Sequence, residues 1–193
     1  MDIRNLMLPA ATTAVRIVRE VPGGLLDAPT PCPDWDVRAV VNHLILWNGR
    51  GATAARKLPP TGPDEGHDFT SEPGWADRFE AQARGTAEAW RQDDAAWEGN
   101  TSLTGSKPGM PAGFIAGMLF VECVVHGWDI AVATGHDPRL APELVQAAWE
   151  QTVPMAEMSR EYGVFGEQIA VPDDAPPLDR LLGLAGRDPH WKP

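Results

Sequence analysis

Glu122 and His126 stand four residues apart in the apolar run AGFIAGMLFVECVVHGWDIAVA, residues 112–133. On a helix turning 100° per residue this spacing leaves them about 40° apart on one face, so a carboxylate and an imidazole converge on one point. Asp129, seven residues after Glu122, returns to the same face. Ile115, Met118 and Leu119 flank that stripe one to two turns earlier, which makes it the core side of the helix. Ionisable groups there need partners, because each is costly to bury unpaired. A metal ion supplies one such partner, and a closed set of hydrogen bonds supplies another.

A further ligand must come from a different element, and the other four histidines differ in placement. His67 lies in a polar loop, His136 follows Gly135 in a turn, and His190 lies near the end of the chain. His43 alone sits inside a helical stretch, with Val40, Leu46 and Trp47 at helical spacing around it. His43, Glu122 and His126 make a two-histidine, one-carboxylate set that leaves coordination positions open, and Zn(II), Ni(II) and Fe(II) all suit it. Beside this stands the plainer reading of a hydrogen-bonded core histidine and a helix salt bridge. Asp129 reads as the partner that orients a ligand, and Trp47, one turn beyond His43, as a wall of the pocket. The remaining tryptophans read as core and loop anchors, Cys123 as a small core residue, and Cys32 as structural, with an approach of its proline-bracketed loop to the site as the alternative.

The elements that must position these residues are helical. Asp2 caps a first helix running to about Glu20, with Pro9 disturbing its first turns, and Pro22-Gly23-Gly24 ends it. The proline-rich loop DAPTPCPDWD leads to Asp36, an N-cap for a helix from Val37 to about Lys57. A polar loop over 61–73 precedes a helix from Gly74 to about Trp90, and a short extended piece is expected at Thr101 to Thr104. Pro111 suits the first position of the fourth, most apolar helix, which Gly135 stops. A fifth helix spans Ala141 to about Glu161 with Pro154 inside it. An extended tail segment over 165–171 and a short last helix over 177–186 follow. The expectation is an all-α four-helix bundle with an additional helix and a short C-terminal appendage, its long connections departing from simple neighbour order. The bundle would occupy residues 1–162 and the tail, 163–193, would pack on it.

The chain has 193 residues, enough for one domain, and a net charge of −11 without like-charge runs, which excludes a nucleic-acid binder. The two cysteines form no CxxC spacing, and the N-terminus does not read as a signal peptide, so a cytoplasmic protein is expected. The apolar run over 112–133 is long enough to span a membrane, but Glu122, His126 and Asp129 would be costly in lipid. No membrane association is expected.

PCPDWDVRAVVNHL at 31–44 and VECVVHGWDIAVATG at 121–135 resemble the DinB-like superfamily and, within it, the mycothiol-dependent maleylpyruvate isomerase N-terminal domain group of actinobacteria. The tail FGEQIAVPDDAPPLDRLLGLAGRDP, 165–189, resembles the ending of short members known mainly as metal-binding proteins. The resemblance implies a four-helix bundle holding a divalent metal, zinc first and nickel or iron next, on His43, Glu122 and His126. It further implies a thiol-dependent transferase or isomerase whose metal polarises a small thiol such as mycothiol toward an electrophilic substrate. One departure stands out: the isomerases' longer C-terminal domain carries a substrate-binding arginine, and no motif assigns that role to Arg180 or Arg187 here. A metal-dependent hydrolase or cyclase, and a non-catalytic binding protein, are the alternative readings. Relatives dimerise through helix faces, and an apolar face on the tail helix would allow a homodimer.

Overall fold

Local chemistry sets most helix boundaries in this structure, a computed structural model that describes residues 2–193. Helix α1 is Met7–Arg19, preceded by a 3-10 turn at Ile3–Asn5 that Asp2 caps. The first helix therefore starts later than expected, and Pro9 falls in its first turn, where a missing N–H costs nothing. Helix α2, Val37–Ala55, begins at Asp36, whose Oδ1 accepts from the Ala39 amide at 2.8 Å. Helix α3 is Trp75–Gln92, α4 Ala112–Ala133, α5 Pro142–Glu161 and α6 Pro177–Leu184. Among the described residues the sheet is confined to β1, Asn100–Thr101, paired antiparallel with β2, Met110–Pro111. Helix accounts for 59% of the chain and strand for 3%, so the fold is all-α.

Helices α1 and α2 each pack against both α3 and α4, so the first four helices form a bundle in which successive pairs need not be neighbours. The long connections permit this order. Gly51 marks the closest approach: a Cβ there would lie 2.5 Å from the Thr86 side chain, and the Gly51 carbonyl accepts from Trp90 Nε1 at 3.2 Å. Helix α4 is the centre of the core. It is apolar almost all round and buried almost all round, as the helical period requires of such a sequence. It is long and apolar enough to cross a membrane, but 83% of its apolar window is buried within the protein.

Several expectations are corrected at the edges. Pro111 belongs to β2 and precedes α4 instead of opening it. The tail over 165–171 forms no strand, although the Ile169 amide donates to the Gly183 carbonyl at 2.9 Å. Pro154 lies inside α5 without ending it. The apolar face of α6 is not exposed: Leu181 and Leu182 are fully buried and the helix packs on α5. That face is already covered within the chain, which removes the argument for a dimer built on it.

Candidate metal centre

The site begins with a loop. Thr30 Oγ1 donates to the Trp35 carbonyl at 2.7 Å and accepts from the Cys32 amide at 3.1 Å, pinning the proline-rich segment before α2. Asp34 adopts φ 65°, a left-handed conformation that aspartate tolerates better than most residues. The turn that results places the Trp35 indole against both site histidines. It stacks on His126 with centroids 5.6 Å apart and planes at 17°, and lies 4.7 Å from His43.

Helices α2 and α4 bring together the three residues expected to converge. Glu122 Oε2 lies 2.5 Å from His43 Nε2 and 3.2 Å from His126 Nε2. One ligand atom from each residue lies within 4.8 Å of the other two. Burial would raise the Glu122 pKa, but the two imidazoles outweigh it and hold the carboxyl well below its ordinary range. Burial would likewise lower His126, yet Glu122 and Asp129 prevail and its pKa rises to about 9. Without a cation, then, Glu122 is an anion and His126 is protonated at neutral pH.

Behind His126 a second layer forms. Its Nδ1 lies 2.8 Å from Asp129 Oδ2, and Asp129 is fully buried. Arg187, from the tail, donates through Nη2 to Asp129 Oδ2 at 3.2 Å and to Cys32 Sγ at 3.1 Å, and through Nη1 to the Ala185 carbonyl at 2.8 Å. Its side chain is 3% exposed. A buried carboxylate is tolerable only with such a partner. Asp129 thus stands between the two, paired with His126 on one side and with Arg187 on the other.

His43 is backed differently. Trp47 Nε1 donates to His43 Nδ1 at 3.0 Å, so in the neutral ring the proton sits on Nε2 and is given to Glu122.

The donor set fits a divalent transition ion: two imidazole nitrogens and a carboxylate oxygen converge at the wall of a cavity, leaving positions open. Both histidines must shed an Nε2 proton to bind it. A second grouping, Cys32, His126 and Asp129, also lies within 4.8 Å. It suits a cation poorly, because the Arg187 guanidinium already supplies positive charge there and burial pushes the Cys32 thiol up to about 11. Cys123 is buried in the core, as expected, and its thiol is pushed up to about 12.

The other histidines do not join the three. His67, which lines the wider cavity, pairs with Glu72 at 2.6 Å, and His136 bonds Thr134 at 3.0 Å. That cavity, about 680 Å³, is lined by the three convergent residues with Cys32, Asp34, Trp35, Trp47 and Arg187 among others. A second, of about 220 Å³, shares His43, Trp47, Glu122 and Val164 with it. Trp47 lines both, as expected of a pocket wall. Trp35 and Arg187 are the residues that sequence reasoning missed. Trp35 was legible only as an anchor; for Arg187 the available signal was that a core-facing Asp129 requires a cation from elsewhere.

The family described as Mycothiol maleylpyruvate isomerase N-terminal domain matches residues 8–131, a span that contains His43, Glu122, His126 and Asp129 but not Arg187. Two proteins of Mycobacterium tuberculosis, one from strain CDC 1551 and one from strain H37Rv, both described as uncharacterized, are each 29% identical over 173 residues. In each case the match covers 84% of this chain and 85% of the relative. No solved structure matches.

Proposed function

The chain belongs to the mycothiol maleylpyruvate isomerase N-terminal domain family, and from that premise we propose that it is a divalent-metal-binding, thiol-dependent transferase or isomerase. The observation that carries this reading is the convergence of His43 Nε2, Glu122 Oε2 and His126 Nε2 at the wall of a 680 Å³ cavity. These three residues would hold the cation, zinc first and nickel or iron next. When bound, the cation supplies the Lewis acidity that keeps a small thiol such as mycothiol ionised near neutral pH.

The remaining work falls to the chain's own side chains. Asp129 keeps a proton on His126 Nδ1 and so directs Nε2 toward the site. Trp35 covers both imidazole rings and limits water at that face. Trp47 lines the path by which the thiol reaches the site, and the electrophile completes the pair of small-molecule partners. A net charge of −11 has the wrong sign for a nucleic-acid partner. A cytoplasmic setting agrees with two free cysteines.

The test is a calorimetric titration of mycothiol into zinc-loaded protein and into a zinc-treated His126→Ala variant. Saturable binding to the first and none to the second is expected. No binding at millimolar thiol would overturn the thiol-dependent reading. Turnover that needs no added thiol would assign the same residues to a hydrolase or cyclase.

A further inference from the structure

The two cavities that meet at the candidate centre differ in chemistry, and the difference says what each can accept. The larger has charged walls: Arg187, Asp34 and Glu65 line it together with polar groups such as His67 and Asn42. The smaller is walled by Leu103, Met110, Ile115, Met118, Leu119 and Val164. Its polar groups apart from the shared residues are the hydroxyls of Ser102, Thr104 and Ser106, which bond among themselves at 3.0–3.2 Å. Neither lysine nor arginine lines it; Lys107, next along the chain, is exposed and lies outside the wall.

We propose that this smaller cavity is the electrophile's site and that it accepts a small, uncharged, apolar molecule of about one ring. The inference rests on the reading of His43, Glu122 and His126 as the reactive centre, since His43 and Glu122 close one end of the cavity. Three observations fix the class of ligand. First, apolar cavities of about 150 Å³ accommodate benzene, so 220 Å³ holds one substituted ring and no polypeptide element. Second, the apolar walls carry neither lysine nor arginine, so an anionic group lodged among them would bury its charge without a partner. Third, Met110 and Met118 supply flexible, polarisable side chains that adapt to the shape of an aromatic or short aliphatic guest. The polar cosubstrate is then left to the larger cavity, and the two reactants meet across Trp47 and Glu122.

The experiment uses the full chain with methyl-13C methionine and two probes of the same shape, nitrobenzene and benzoate, differing in charge. Nitrobenzene is expected to shift the Met110 and Met118 methyl resonances saturably while leaving Met7 and Met155 unmoved. In chelator-treated, metal-free protein, where no cation can ligate a carboxylate, benzoate is expected to bind at least tenfold more weakly. Met118→Trp fills the cavity, and Thr104→Trp blocks it from an exposed loop without touching the core; each should weaken nitrobenzene at least tenfold. Equal affinity for benzoate, unmoved Met110 and Met118 resonances, or full affinity in both filled variants would overturn the proposal. Zinc content is measured on the same samples. Zinc uptake without a nitrobenzene response overturns this inference alone. Selective nitrobenzene binding without zinc uptake supports the cavity's preference and overturns the metal reading instead.

Discussion

His126 and His43 reach the same Glu122 oxygen, but the regions that hold them are built on different terms. His126 lies on the buried centre of α4, 8% exposed, with Asp129 accepting behind it and Arg187 fixing Asp129. His43 lies on α2, 21% exposed, with the indole N–H of Trp47 behind it. A metal-binding imidazole donates from its second nitrogen, and the region around His126 already receives that proton. The region around His43 offers a donor where an acceptor is needed. One half of the centre is therefore pre-organised for a cation, while the other must exchange a hydrogen bond to take one.

The largest expected effect follows from the His126 proton. A cation must displace it, so apparent zinc affinity should fall about tenfold per pH unit below about 9, roughly a thousandfold between pH 9 and 6. Competition against a pH-calibrated chelator measures it, and a flat profile would show that His126 is not a ligand. The same proton sets the stability of metal-free protein. Its folded pKa is raised above the ordinary 6.5, so its contribution is fully present below that value and lost as pH rises through about 9. Urea unfolding of chelator-treated protein should accordingly show a lower midpoint at pH 9.5 than at 6.5.

Removing the tail's contribution comes next. Arg187→Met removes one of the two cationic partners of the buried Asp129, leaving it the His126 imidazole, and should cost about 3–5 kcal/mol of stability. Denaturant unfolding checks this, and the double variant Arg187→Met/Asp129→Leu should recover much of the loss. A cost below about 1 kcal/mol would mean that the pair is not sequestered from water. Asp129→Asn leaves the shape intact but weakens the acceptor behind His126, and zinc affinity should fall about 10–100-fold.

Trp47→Phe should have the smallest effect and the opposite sign. It removes the donor that competes with the metal-binding tautomer of His43, so zinc should bind up to about tenfold more tightly, the equivalent of one hydrogen bond. Weaker zinc binding in this variant would erase the contrast between the two histidines.

What was legible in the sequence is what local chemistry determines. Asp36 caps α2 as expected, and Glu122, His126 and Asp129 share a face because helical spacing alone sets that relation. The choice of His43 followed from its being, besides His126, the one histidine inside a helix. Arg187 was not legible because its partners lie 58 and 155 residues away, and no periodicity records such a contact. Trp35 sits in an irregular loop whose path depends on the Thr30 hydrogen bonds and on Asp34 at φ 65°, so its place over two imidazoles could not be read from spacing. The α6 face looked available for a partner because amphipathicity marks an apolar face without saying which surface covers it.

His43, Glu122 and His126 are proposed together to hold one divalent cation. Elemental analysis of purified, tag-free protein after zinc reloading and exhaustive dialysis tests it most directly, beside His43→Ala and Glu122→Ala variants checked for retained helicity. About one zinc per wild-type chain, lost in both variants, is expected. No zinc in the wild type, or undiminished zinc in both variants, would contradict it and leave the three residues as a hydrogen-bonded cluster at the cavity wall.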